Sequence, residues 1–219
     1  MRVPFTVEQF LDVFRRYNEA VWPAQWILTA LGVTAVVLAL GRAPHAGRMI
    51  GGVLALLWLW MGAVYHLVFF RPINPAATAF GALFLVQAAL LAWLGAWRGA
   101  LTFRVRRDAA GVMGALVIVY ALVLYPAIGH ALGHRYPAAP TFGVPCPTTM
   151  LTFGLLLWAV PPVPRGLLVV PALWALIGTT AAAGLGMRED FGLSIAAIVA
   201  TVAMLMWRSP RRRTALRPV

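Results

Sequence analysis

The sequence predicts an all-α polytopic membrane protein, a bundle of about seven transmembrane helices preceded by a short amphipathic interfacial helix. Three observations carry this. Apolar residues make up 62% of the chain and charged residues 11%, against roughly 45–50% and about 25% in soluble domains. The apolar residues gather in several runs of about 20, the length that crosses hydrocarbon about 30 Å thick. The charges collect in the short segments between those runs. No soluble core of 219 residues needs so many.

The first element begins at Thr6-Val7-Glu8-Gln9, which fits a capping box. Behind it Val7, Phe10, Leu11, Phe14 and Tyr17 recur at helical spacing, with Glu8, Asp12, Arg15 and Arg16 on the other faces. This reads as an amphipathic helix lying in the headgroup plane. The Trp22-Pro23 step then turns the chain into the first span. Spans are expected at about 24–41, 48–70, 75–97, 110–132, 147–162, 166–185 and 191–207. The fifth is short for a bilayer and ends at Pro161-Pro162, so a tilted or re-entrant segment is the alternative there. The domain reading is an outer-face lead-in over 1–23, a membrane bundle over 24–207 and a basic cytoplasmic tail over 208–219. Glycine, alanine and threonine are frequent in the spans, as close helix packing in lipid requires. The first segment carries acids and polar residues in place of a signal-peptide core, so the first span is expected to direct insertion itself.

Orientation follows from arginine placement. The segments after spans one, three, five and seven hold twelve arginines and the opposite side holds six. By the positive-inside rule the amino terminus lies outside and the carboxyl terminus in the cytoplasm. The net charge of +12 therefore sits in loops and tail, not on a folded basic surface, which excludes a nucleic-acid partner. Arg211-Arg212-Arg213 in the tail is expected to meet anionic lipid heads. Every basic residue is arginine, so Schiff-base chemistry on lysine is excluded. The single cysteine, Cys146, forms no internal disulfide.

The ionisable side chains sort by face. Glu8, Asp12, Glu19, Glu189 and Asp190 fall outside, with only Asp108 inside. His66, His130, His134 and Cys146 lie at outer span ends, whereas His45 is cytoplasmic. Mid-span polar residues (Gln87, Tyr120, Thr179, Thr180, Ser194) are neutral, which argues against a proton-coupled pump, because such pumps accept the cost of a charge in hydrocarbon. The densest stretch runs from Tyr125 to Thr149. Pro126 should kink the fourth span. His130 and His134 are four apart and would share one face of a continuing helix, where they could hold one metal ion. The prolines from Pro137 to Pro147 would stiffen a loop into a lid, with Thr148 and Thr149 capping the fifth span.

These residues suggest an outward-facing polar pocket beneath the lid. Its candidates are Glu19, Tyr65, His66, Asn74, Cys146, Glu189 and Asp190; His66, His130 and His134 are the candidate ligands of a divalent metal such as zinc. Asn74, in the turn Arg71-Pro72-Ile73-Asn74-Pro75, is also a candidate cap for the third span. The expected function is binding of a small molecule or metal ion from the outer side. A metal-dependent hydrolase, a passive transporter or channel, and a scaffold for another membrane protein are the alternatives.

The segments YNEAVWPAQ, YHLVFFRPINPAATAFG and PTFGVPCPTT resemble an uncharacterised family of small bacterial multi-span membrane proteins, classed as a domain of unknown function. That resemblance implies a bacterial inner-membrane location and supplies no activity. In one element, His130-x-x-x-His134, the chain is also similar to the seven-span zinc hydrolases of the alkaline ceramidase type. It departs from them at Gly62, where their pattern has serine, and in lacking an intramembrane aspartate.

Overall fold

The computed structural model describes residues 4–41, 43–160 and 163–206. The basic tail over 208–219, the arginines at 2 and 42, and the Pro161-Pro162 stop of the fifth span lie outside the described residues. Among the described residues the chain folds into eight helices: α1 (Val7–Ala20), α2 (Ala24–Leu40), α3 (Ala46–Phe70), α4 (Ala77–Trp97), α5 (Ala109–Ala131), α6 (Pro145–Trp158), α7 (Arg165–Leu185) and α8 (Phe191–Met206). Each apolar run therefore forms a helix within a few residues of its expected bounds.

Four of them, α3, α4, α5 and α7, are long and apolar enough to cross a membrane, and α1 with α2 would make a fifth if that pair, bent by 90°, counts as one span. Three of the four contain wide turns in which each amide reaches back five residues: 61–70 in α3, 91–97 in α4 and 120–124 in α5. The turn in α5 lies directly before Tyr125-Pro126. It accommodates the missing proline amide, and the helix resumes beyond it.

At α6 the structure explains a feature that the sequence only flags. Its 14 residues span about 21 Å. Nearly all of them, on every side, are buried against the other helices. Protein surrounds the helix on every side, so its ends can be completed by backbone from elsewhere. At its far end Arg104 donates its amide to the Trp158 carbonyl (2.8 Å) and Val160 donates to Thr102 (2.7 Å). Irregular backbone at such depth is tolerated where protein satisfies it. Thr148 and Thr149 do not cap α6 as expected. Val144 holds the cap position without a side-chain bond, Pro145 opens the first turn, and Thr148 accepts from the Gly143 amide (3.2 Å).

Small residues let the helices approach closely. A Cβ on Gly51 of α3 would sit 2.6 Å from the backbone carbon of Gly95 in α4. On Gly154 of α6 it would meet Ile118 of α5 at 2.6 Å. Polar side chains inside the bundle find partners: Trp58 donates to Thr152 (3.0 Å), Trp158 to the Gly111 carbonyl (2.9 Å) and Gln87 to the Leu167 carbonyl (3.0 Å). Thr179 and Ser194 share a hydrogen bond of 2.5 Å between α7 and α8.

The capping box forms as expected, with Thr6 accepting from the Gln9 amide and the Gln9 side chain accepting from the Thr6 amide. The apolar face of α1, however, is spent on protein. Val13, Phe14, Tyr17 and Asn18 are buried, Phe14 stacks near Tyr65, and the Trp60 indole donates to the Tyr17 hydroxyl (2.8 Å). The helix thus lies across the end of α3 as part of the fold.

Candidate functional site

The helices alternate in direction, so α1, the 71–76 turn, the 132–144 loop and the 186–190 turn gather at one end of the bundle. At that end, among the described residues, the expected groups line two separate cavities in place of the one pocket expected. The first, about 230 Å3, lies between α1, the ends of α3 and α7, and the starts of α4 and α6. Its walls are apolar and largely aromatic, with Phe10, Phe14, Phe70 and Trp174 prominent. Its polar end is a small cluster from three elements. Tyr125 of α5 donates to Asp190 at 2.7 Å, and Cys146 at the start of α6 lies beside that carboxylate. Asp190 is buried. Burial pushes its carboxyl up to about 7, against the pull of the Tyr125 hydrogen bond and the neighbouring Cys146 thiol.

The second cavity, about 630 Å3, lies under the proline-rich loop between α2 and α5. His130, His134, Trp26 and Tyr136 line it, and Tyr125 lines both cavities. Behind it the Glu189 carboxylate, fully buried, takes a 2.6 Å hydrogen bond with Nδ1 of His134. Tyr120 donates to the Glu189 carbonyl (2.7 Å), and Gly129 leaves the room that lets Glu189 approach α5.

The candidates therefore separate. Tyr65, Asn74, Cys146 and Asp190 line the first cavity. Asn74 does not cap α4 as expected: Ala76 holds the cap position without a side-chain bond, and the Asn74 side chain accepts from the Ala76 amide (3.2 Å) within the preceding turn. Glu189 is buried beside these groups but belongs to the His134 pair. Glu19 lines neither of these cavities: it is exposed on α1 and pairs with Arg15 at 3.4 Å. The loop is also not the roof of the first cavity, because only its end, at Val144 and Pro145, reaches that lining. Phe5, Phe10 and Phe14 close it instead.

The metal site does not assemble. His130 is exposed where α5 is ending, and the chain then turns through Gly133 at φ 97°. That turn sends His134 inward to Glu189, so the two rings share no helical face. His66 lies elsewhere, caged by Phe84 (ring centroids 4.6 Å apart), Trp174 (5.0 Å) and Tyr65 (5.4 Å). Among the described residues no three His, Cys, Asp or Glu side chains converge to hold a metal ion.

Both ring nitrogens of His66 are buried without a hydrogen-bond partner among the described residues. Replacing a buried unpaired polar group by an apolar one of similar shape is neutral to stabilising. His66→Phe should therefore melt at or above the wild-type temperature, with a gain of up to about 1 kcal/mol. A clear loss of stability in detergent would mean that the imidazole has a partner.

Three residues of this region escaped sequence reasoning. Tyr125 stood at the edge of the flagged stretch, and Trp174 lay inside an unremarkable apolar run. Asn18 had one available signal, a lone amide just before the Trp22-Pro23 corner. Its buried side chain donates to the carbonyls of Pro137 (2.7 Å) and Ala139 (2.8 Å) and accepts from Thr141 (2.8 Å), so it ties the loop to α1.

No curated protein and no solved structure matches the chain. A family model described as "Family of unknown function (DUF6064)" matches residues 7–215.

Proposed function

We propose that this chain, which belongs to that family of unknown function, is a bacterial inner-membrane receptor or carrier for a small, mostly apolar molecule bearing one cationic or hydrogen-bond-donating group. In this reading α2 to α8 all span the bilayer, the amino terminus faces the periplasm, and the arginine-rich tail lies in the cytoplasm against anionic lipid. The twelve-to-six arginine distribution supports that orientation. The central placement of α6 explains how so short a helix belongs to a seven-span bundle.

One observation carries the functional reading: an apolar aromatic cavity ends in a buried carboxylate, Asp190, that has no ion-pair partner among the described residues. Ligand pockets have this form, with apolar walls for affinity and few polar groups for orientation. The absence of converging metal donors among the described residues weighs against the hydrolase alternative. Leu151, Leu155, Leu156 and Trp158 fill the bundle along α6 beyond the cavity, which weighs against a passive pore.

The test uses primary alkylamines as probes, with the protein's tryptophan fluorescence as the readout. An amine stays cationic near neutrality, whereas Asp190 is neutral below about pH 7 and ionised above it. Affinity should therefore rise between about pH 6 and about pH 8 and then level off. The titratable groups that face Asp190 are Tyr65, Tyr120, Tyr125, His134, Cys146 and Glu189. Asp190→Asn should remove the pH dependence, and Ala181→Trp, which fills the cavity, should remove binding. Alkylamine affinity indifferent to both substitutions would end the proposal. For the ligand-free protein the sign reverses. Stability due to protonated Asp190 is fully present below its ordinary 3.8 and is lost as pH rises through about 7.

A further inference from the structure

The opposite end of the bundle has a concave surface of its own, independent of the cavity and its ligand. Residues 39–41 and 43–48, where α2 gives way to α3, meet residues 98–105, between α4 and α5, around a space of about 700 Å3. Its charged lining residues are Arg48, Arg98 and Arg104, with His45 beside them. We propose that this pocket binds a phosphate-bearing anion through those three guanidinium groups.

The first support is uncompensated charge. Among the described residues none of the three arginines has a carboxylate partner. Asp108 is the only acid in the segments of this end, and it is engaged elsewhere. Its side chain accepts from Arg106 at 2.8 Å and caps α5 through the Gly111 amide at 3.0 Å. Three like charges around one hollow repel each other unless an anion joins them.

The second support is that the hollow is built into the fold. A Cβ on Gly47 would lie 2.0 Å from the Leu101 carbonyl oxygen, so the two segments touch backbone to backbone. Gly99 takes φ +61°, and a Cβ there would sit 2.9 Å from Nε of Arg48. The Arg48 side chain thus lies over a position that only glycine leaves open. The hydrogen bonds from Arg104 to Trp158 and from Val160 to Thr102 fasten the second segment to the end of α6. A pocket held this way loses little order when it binds.

The third support is the chemistry offered. Guanidinium forks match the oxygens of a phosphate. The long helix α3 also begins in this hollow, with the positive end of its dipole there. At the end of a membrane bundle such a phosphate is supplied either by a lipid headgroup or by a soluble phosphorylated compound. The recognition chemistry is common to both.

Full-length protein in nanodiscs separates the sources. Wild type and the R48Q/R98Q/R104Q variant are compared in two arms. In one, native mass spectrometry counts lipid retained from a mixture of phosphatidylglycerol and phosphatidylcholine. In the other, inorganic pyrophosphate is titrated calorimetrically into discs of phosphatidylcholine alone. Wild type should exceed the triple variant by about tenfold or more in at least one arm. A response only to phosphatidylglycerol assigns the pocket to lipid, and a response only to pyrophosphate assigns it to a soluble ligand. Equal behaviour of the two proteins in both arms overturns the proposal. So does loss of the preference in R211Q/R212Q/R213Q with retention in the pocket variant, since the tail would then be responsible. Should the triple variant fail to fold, R98Q alone keeps the test alive, with a loss of several-fold expected and no loss counting against the pocket.

Discussion

Gly51→Leu should prevent the bundle from assembling. A Cβ at position 51 would lie 2.6 Å from the carbonyl carbon of Gly95, 2.7 Å from its Cα and 2.8 Å from the Ala96 nitrogen. All three are backbone atoms, so no side chain can swing aside, and α3 and α4 would have to part along their contact. Such overpacking exceeds the usual 1–3 kcal/mol of a relaxable core and should cost about 4 kcal/mol or more. The neighbouring Gly52 is the control, because a Cβ there meets only the Ala96 Cβ, at 3.9 Å. In mild detergent Gly52→Leu should elute as a single sharp species and Gly51→Leu should not. Equal folding of the two would refute the α3–α4 crossing described above.

Asn18→Ala should release the proline-rich loop. The substitution strands two carbonyls and the Thr141 hydroxyl in a buried region, and Gln25, which approaches the Asn18 carboxamide oxygen at 3.3 Å, loses that contact too. At about 1–3 kcal/mol for each buried group left unsatisfied, and with partial relaxation, the expected cost is about 3 kcal/mol. The loop carries Arg135, so trypsin under native conditions should cut there faster in the variant than in wild type. Asn18→Asp should do nearly as much damage, because a carboxylate cannot donate to the carbonyls of Pro137 and Ala139. If the aspartate variant instead behaves as wild type, the amide is not what holds the loop.

These two expectations show where sequence reasoning stopped. Gly51 and Gly52 are indistinguishable in the sequence, and only the rotation of α3 about its axis decides which one touches α4. Asn18 could be seen, but its partners lie well over a hundred residues away. The His130 and His134 pair looked like a shared helical face because spacing carries no information about where a helix ends. A single residue, Gly133, in a conformation that side chains disfavour, sends one ring to solvent and the other to Glu189. Periodicity likewise marks α1 as amphipathic without saying whether its apolar face meets lipid or protein.

The helices and their order, their approximate ends and the crowding of ionisable groups at one end of the bundle follow from the amino-acid sequence. Hydrocarbon tolerates neither unpaired backbone nor stray charge, so local composition alone dictates those features. Which groups meet was settled only in three dimensions. Tyr125, Cys146 and Asp190 come together through helix rotation and close packing at small residues, while His66 is drawn into an aromatic cage. Apolar patterning is nearly blind to rotation when helices are apolar all round. The few ångströms that separate a pocket from a packed core are therefore fixed by contacts between distant parts of the chain.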